Sequence, residues 1–286
     1  MSLSDLIASR RRPLVMGVVN VTPDSFSDGG ERYEHSLAIE HALQLAELGA
    51  EIIDVGGEST RPAGATYGEG ARRVDADEEI ARVVPVIEGV RRSNTTVEIS
   101  IDTMKSTVAE AAIAAGATIV NDVSAARHDE RILEVAARSH VPYVLMHGHD
   151  PRDIRPLEEH RYTDVVADVL RFLRERIAIA RAAGIEVAIA DVGIGFAKGA
   201  RENIALLREH RRFDELDVPM LVGASRKAFI GGLLGGVPPK ERVIGTLAAH
   251  AVAALNGASI VRVHDVAETL QFFTVFEALV APVPVR

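Results

Sequence analysis

The sequence predicts an α/β chain folded as a single-domain (β/α)8 barrel of the TIM type. Three observations carry this: short β-branched runs recur, a helix-periodic stretch follows them, and eight such units fit within 286 residues. Eight units in so short a chain suit a closed barrel better than an open doubly wound sheet. The strand runs are Leu14–Val19, Glu51–Val55, Val97–Ile101, Thr118–Asn121, Pro142–Met146, Val187–Ala190, Met220–Gly223 and Ile260–Val263. Among the helical stretches are Ser36–Gly49, Asp77–Arg92, Thr107–Gly116 and Tyr162–Gly184. Gly49-Ala50, Gly116-Ala117, Gly184-Ile185 and Gly257-Ala258 precede strands, where glycine can end a helix in the left-handed conformation. No Pro/Ser-rich linker or charge block divides the chain. One domain is therefore expected over residues 14–282, behind a leader segment at 1–13.

Composition agrees with this architecture and narrows the function. Apolar residues make up 47% and aromatics 4%, with no Trp, a balance that suits helices packed on a buried parallel sheet. The formal charge of −9 disfavours broad contact with nucleic acid or an anionic membrane surface. An anionic ligand would need a local basic cluster. The absence of Cys excludes disulfides, a thiolate nucleophile and a Cys-based zinc site, and is compatible with the cytoplasm. Arg10, Arg11 and Arg12 precede an apolar stretch soon broken by Asn20 and Pro23, so neither a signal peptide nor a membrane span is read.

Reacting groups in such barrels come from the loops after the strands. The strand ends here are polar throughout. The first runs into Asn20-Val21-Thr22-Pro23-Asp24-Ser25-Phe26-Ser27-Asp28-Gly29-Gly30, and the second ends at Asp54 before Gly56-Gly57-Glu58-Ser59-Thr60-Arg61-Pro62. The others offer Asp102-Thr103, Asn121-Asp122, Met146-His147, Asp191, Ser225-Arg226-Lys227 and Arg262-Val263-His264-Asp265. One or two such carboxylates could simply cap helices or pair across the rim. Polar residues at all eight ends are harder to explain that way.

These residues fall into two sets. Asp102, Asn121 and Asp191, in the middle of the barrel order, offer acceptors and an amide to the edge of a flat ring, with Met146 and Phe196 to pack on its faces. That suits an amino-oxo heterocycle. The second set, Arg61, Ser225, Lys227, Arg262, His264 and Asn20, suits a diphosphate, Asn20 helping to hold Mg²⁺ through its oxygen. Salt bridging to the strand-end carboxylates is the simpler alternative for Lys227 and Arg262, as a structural histidine is for His264. Gly193-Ile194-Gly195 lacks the third glycine of a dinucleotide fingerprint. The Gly29-Gly30 and Gly56-Gly57 pairs fit loops that move over a substrate.

In this order the motifs closely resemble the dihydropteroate synthase family. Asn20 to Gly30 is similar to its first signature and Gly56 to Pro62 to its second. Ile101-Asp102-Thr103, Asn121-Asp122-Val123, Gly193-Ile194-Gly195-Phe196, Ser225-Arg226-Lys227 and Arg262-Val263-His264-Asp265-Val266 follow in register. The resemblance implies condensation of 6-hydroxymethyl-7,8-dihydropterin diphosphate with p-aminobenzoate, a sulfonamide-sensitive step of folate synthesis in this family. It further implies that Asp102, Asn121, Asp191 and Lys227 bind the pterin, with Met146 and Phe196 around it. Asn20, Arg262 and His264 would bind diphosphate and Mg²⁺, joined by Thr60 and Arg61. Phe26, Pro62 and Ser225 would border the p-aminobenzoate pocket, and Asp28 would face the carbon that becomes positive. Among these, Asp28, Arg61, Lys227 and Arg262 are the expected catalytic residues. A homodimer through the last helices is also implied, with Leu233, Leu247 and Phe272 as apolar surface. The chain departs from the family at Asp191-Val192-Gly193, where Asp-Pro-Gly is usual; this keeps the carboxylate and loosens the turn. Gly148-His149-Asp150-Pro151 departs as well, in a variable loop. A barrel that transfers methyl from a folate to a corrinoid protein would keep Asp102, Asn121 and Asp191 but has no use for the cations Arg61, Lys227 and Arg262. A non-catalytic pterin-binding paralogue would not need intact first and second loops.

Overall fold

Eight parallel strands close on themselves in sequence order, the first hydrogen-bonded to both the second and the eighth. The computed structural model describes residues 3–21, 31–58, 74–148 and 162–280. The strands are β1 Leu14–Asn20, β2 Ile52–Gly56, β3 Glu98–Asp102, β4 Ile119–Asp122, β5 Tyr143–Met146, β6 Ala188–Asp191, β7 Met220–Val222 and β8 Ile260–Val263. Around them lie helices α1 Leu3–Ser9, α2 Glu31–Glu47, α3 Ala76–Ser93, α4 Ser106–Ala115, α5 Arg131–Arg138, α6 Val165–Ala182, α7 Ala200–Arg208, α8 Ala228–Leu233, α9 Val243–Leu255 and α10 Val266–Val280. The expected strands agree with these to within a residue or two at each end.

Local chemistry explains why the helices start and stop where they do. Asp75 accepts from the Glu78 amide at 2.8 Å to start α3, whose first turn carries Asp77, Glu78 and Glu79 and whose last carries Arg91 and Arg92, each favourable to the helix dipole. Asp164 accepts from the Val166 and Ala167 amides at the head of α6. α4 ends at Gly116, whose φ of +116° permits the left-handed cap.

Alternation along the strands separates two apolar layers. Val15, Ile53, Ile99, Ile101, Val120, Tyr143, Leu145, Ala190, Val222 and Val261 point outward and pack beneath the helices. Leu14, Met16, Ile52, Ile119, Val144, Ile189, Leu221 and Ile260 point inward and fill the barrel. Leu3 joins this inner cluster, and Leu6 and Ile7 pack against it. Helix α1 thus closes the barrel floor, the face opposite the strand C-termini.

Among the described residues, His147, His210, His250 and His264 resist protonation in the folded chain. Burial lowers the pKa of His210, pushes that of His250 down to about 4, and holds His147 well below its ordinary value. Burial, then the charges of Arg262 and Arg226, bring His264 to about 4. His250 Nε2 accepts from the Ala224 amide at 3.2 Å, which requires the neutral ring. Unfolded imidazoles gain a proton below about pH 6.5 while these folded ones resist it. Their contribution to stability is therefore complete above pH 6.5 and is lost as pH falls from there toward 4. Urea unfolding should show a midpoint falling across that window, with up to about 1.4 kcal/mol per pH unit for each histidine. His250→Gln should flatten the fall.

Candidate active site

The inward row does not stay apolar to its top. Continuing the parity of Met16, Ile52, Ile119, Val144, Ile189 and Ile260 by two or four residues reaches Asn20, Asp54, Asn121, Met146, Asp191 and Arg262, and Asp102 holds the same row on β3. Strand pairing sets Asn20 against Gly56, Gly56 against Asp102, and Asp102 against Asn121. Apolar layers below and polar groups at the strand ends make one mouth. Asp122 has the opposite parity. It is buried against the outer layer, accepting from Tyr143 Oη at 2.6 Å and from the Ser124 and Ala126 amides at 2.7 Å, and so folds its own loop.

Arg262 occupies the centre of this mouth. Its Nε donates to Asp54 Oδ2 at 2.6 Å and its Nη2 to Asp102 Oδ2 at 2.8 Å. Asn121 Nδ2 adds long contacts to both Asp54 oxygens, at 3.4 and 3.3 Å. Asp54 is fully buried. Burial lifts the pKa of Asp102 against the lowering effect of Arg262, with Asp54 adding to the lift. Burial works against the guanidinium charge too, yet Asp54 and Asp102 outweigh it and raise the Arg262 pKa. The other Asp102 oxygen, Oδ1, is buried with no hydrogen-bond partner among the described residues. Leaving such an oxygen unpaired is unfavourable by roughly 1–3 kcal/mol. A ligand N–H would satisfy it.

Across the mouth the loop after β6 builds a second wall. Asp191 Oδ1 accepts from the Gly193 amide at 2.7 Å, closing the turn that Val192 occupies. Val192 is fully buried, so the residue that replaces the family's proline is packed in place. Gly193 has φ +68°, and a Cβ there would lie 1.9 Å from the His147 carbonyl oxygen; at Gly195, φ +82°, one would strike Lys227 Cδ at 2.8 Å. These glycines therefore serve close approach rather than nucleotide binding. Lys227 Nζ lies 4.1 Å from the centre of the Phe196 ring, a cation–π arrangement. Burial and then Arg262 lower its pKa to about 8, against Asp191 and Asp102. Burial raises Asp191, while Gly193 and Lys227 pull it back.

Ser225 and His264 pair on the β7–β8 side. The His264 amide donates to Ser225 Oγ at 3.2 Å, and Oγ lies 3.0 Å from His264 Nδ1. In the neutral tautomer with N–H at Nε2, the Ser225 hydroxyl donates to Nδ1; in the other, Nδ1–H donates to the second lone pair of Oγ. Arg226 does not join the site. Its guanidinium grips Asp265 through Nε at 3.0 Å and Nη2 at 2.5 Å, locking the seventh loop to the eighth.

The structure thus brings Asp102, Asn121, Met146, Asp191, Phe196, Ser225, Lys227, Arg262 and His264 to the strand ends, and Asn20 to the same rim. Phe26, Asp28, Thr60, Arg61 and Pro62 lie outside the described residues. Two expectations sharpen. The ring-binding and phosphate-binding sets are not separate, because Arg262 is paired with Asp102. Asp54, left without a role in the sequence, is a member of the site; its parity with Ile52 was the available signal. A third group has no sequence signal at all: Lys105, after β3, binds both Glu58 and the buried Glu79 through Nζ, and Glu58 Oε1 accepts from the Val74 amide at 3.4 Å. This ion cluster ties β2, α3 and β3 together beside the mouth.

Comparison with known proteins follows this geometry. A family model described as pterin binding enzyme matches residues 16–264. A dihydropteroate synthase of Bacillus subtilis is 43% identical over 275 residues, covering 96% of this chain and 90% of its own. Among solved structures, the Xanthomonas albilineans dihydropteroate synthase with 4-aminobenzoic acid superposes with a TM-score of 0.85 at 47% identity, covering 95% of this chain and 94% of its own. The same enzyme in complex with 7,8-dihydropteroate gives 0.82 at 44%, with 95% of each chain covered.

Arg262→Met should destabilise the fold by roughly 3 kcal/mol, because it strands two carboxylates in a buried setting. Adding Asp54→Asn should recover part of that loss. Urea midpoints of the two variants and the parent check both.

Proposed function

The chain belongs to the dihydropteroate synthases, within the pterin-binding enzymes, and from that premise we propose how its residues divide the work. The enzyme condenses 6-hydroxymethyl-7,8-dihydropterin diphosphate with p-aminobenzoate, giving 7,8-dihydropteroate and diphosphate in folate biosynthesis. Asp102, Asn121, Asp191 and Lys227 hold the pterin edge, and Met146 and Phe196 border its faces. The observation that carries this assignment is Asp102 Oδ1, buried at the end of β3 and without a partner among the described residues, an acceptor suited to the N–H donors that an aminopterin edge presents.

Arg262 and His264 take the diphosphate, with Thr60 and Arg61 from the second loop. Arg262 engages Asp54 and Asp102 through Nε and Nη2, leaving Nη1 without a hydrogen-bond partner among the described residues, and His264 offers a ring N–H in the tautomer protonated at Nε2. Asn20 fits an Mg²⁺ ligand: it stands exposed at the rim, and Mg²⁺ commonly takes one or two protein oxygens beside phosphate and water. Mg²⁺ bound there supplies charge neutralisation to the leaving diphosphate. Phe26, Pro62 and Ser225 border the arylamine.

An arylamine is unprotonated at neutral pH, so its nitrogen attacks without a strong general base. The demanding step is departure of diphosphate. Arg262, His264 and Arg61 stabilise the charge that develops on the leaving oxygen as the C–O bond breaks. Asp28 faces the carbon left positive, which the electron-rich pterin also stabilises. The amine nitrogen then bonds to that carbon and releases its proton. Cations collected at Arg61, Lys227 and Arg262 favour this reaction over methyl transfer to a corrinoid protein.

We read the enzyme as cytoplasmic and homodimeric. No helix among the described residues is long and apolar enough to cross a membrane. Exposed apolar side chains gather on the last two helices: Ile244 and Leu255 on α9, Val275 and Leu279 on α10, the last 79% exposed. Leu233 is exposed as expected, whereas Leu247 and Phe272 are half-buried and offer less. A Val275→Asp, Leu279→Asp double variant should sediment as a monomer where the parent is a dimer.

Diphosphate release that requires both p-aminobenzoate and Mg²⁺ is the expected activity. Lys227→Ala should lower kcat/KM for the pterin substrate by roughly 10- to 100-fold, the loss of one charge-assisted hydrogen bond. Near-normal kinetics in that variant would overturn the assignment of Lys227.

A further inference from the structure

Lys198, in the loop after β6, is 3% exposed and has no place in the chemistry above. Its ammonium has three N–H donors and meets three backbone carbonyl oxygens: His147 at 3.0 Å, Gly193 at 2.9 Å and Phe196 at 2.9 Å. His147 follows β5, while Gly193 and Phe196 follow β6, so one side chain fastens two loops together. Each contact on the β6 loop lies one step from the pterin site. The Gly193 amide holds Asp191, and the Phe196 ring carries Lys227 Nζ. Asn203 of α7 braces the same loop from behind, accepting from the Gly195 amide at 2.7 Å and donating to the Lys198 and Gly199 carbonyls at 3.2 and 2.8 Å.

Burying an ammonium is unfavourable, and burial lowers the pKa of Lys198 to about 7. A neutral amide would join two carbonyls without that penalty. The ammonium alone matches three acceptors spread over two loops, and its charge also favours the ionised form of Asp191.

We infer that Lys198 is a positioning residue for the pterin site, setting the placement of Asp191 and Phe196, and through the ring that of Lys227, by tying the fifth and sixth loops. The inference rests on the proposed assignment of Asp191, Phe196 and Lys227 to the pterin.

The chain has no cysteine, so Lys198→Cys creates a unique thiol that 2-bromoethylamine converts to a lysine-like ammonium. Alkylation is done on the unfolded chain, which is refolded beside a parent taken through the same cycle. The thiol form should raise KM for the pterin diphosphate by about tenfold or more, with kcat and KM for p-aminobenzoate changed much less, and aminoethylation should restore it. Lys198→Gln, which keeps two donors, replaces the thiol form if that form does not fold and is read by the split between the pterin KM and the other constants alone. Asp191→Asn serves as the control. An unchanged pterin KM at position 198 beside a loss in Asp191→Asn overturns the inference and leaves the site assignment standing. An unchanged KM in both removes that assignment and the inference with it. An equal loss in every constant, unrestored by aminoethylation, makes Lys198 a fold residue only and overturns it too.

Discussion

The mouth of the barrel depends on one guanidinium held between two buried carboxylates. Asp54 on β2 and Asp102 on β3 are buried side by side, and Arg262 reaches both from β8 across the closed sheet. The arrangement is poor as a source of stability, since desolvating three charges opposes much of their attraction. It is good as a device for a ligand. It fixes the carboxylates while leaving Asp102 Oδ1 without a partner among the described residues, so a ligand donor would meet a group already in place.

The described loops around that mouth are braced by close backbone approaches and by polar side chains. Gly193 and Gly195 let the sixth loop pass against the His147 carbonyl and the Lys227 stem, approaches that no Cβ would allow. Asp122 folds the fourth loop, and Arg226 with Asp265 joins the seventh to the eighth. These braces stand beside the polar groups at the strand ends, which is how a rigid mouth can be built on loops.

Much of this was legible in the chain. Period-two runs ending in Asp, Asn or Arg identify both the strands and the polar rim, because parity along a strand decides which side chains share the barrel interior. Asp54 is legible in the same way, two residues beyond Ile52 on the inward row. Lys198 and the Lys105 cluster were not legible. Their partners are backbone carbonyls and two carboxylates, one after β2 and one on α3, and a lysine's neighbours in space leave no mark on its neighbours in sequence.

The sequence by itself determined eight βα units, the closed barrel and the residue types at its mouth, because local periodicity and strand-end chemistry are written in adjacent positions. Tertiary structure alone decided that Arg262 would sit between Asp54 and Asp102, that Asp122 would turn away from the mouth, and that a buried ammonium would tie two loops. The physical reason is closure: bending the sheet into a ring brings its eighth strand to its first, and contacts made across a ring are set by geometry that no stretch of chain contains.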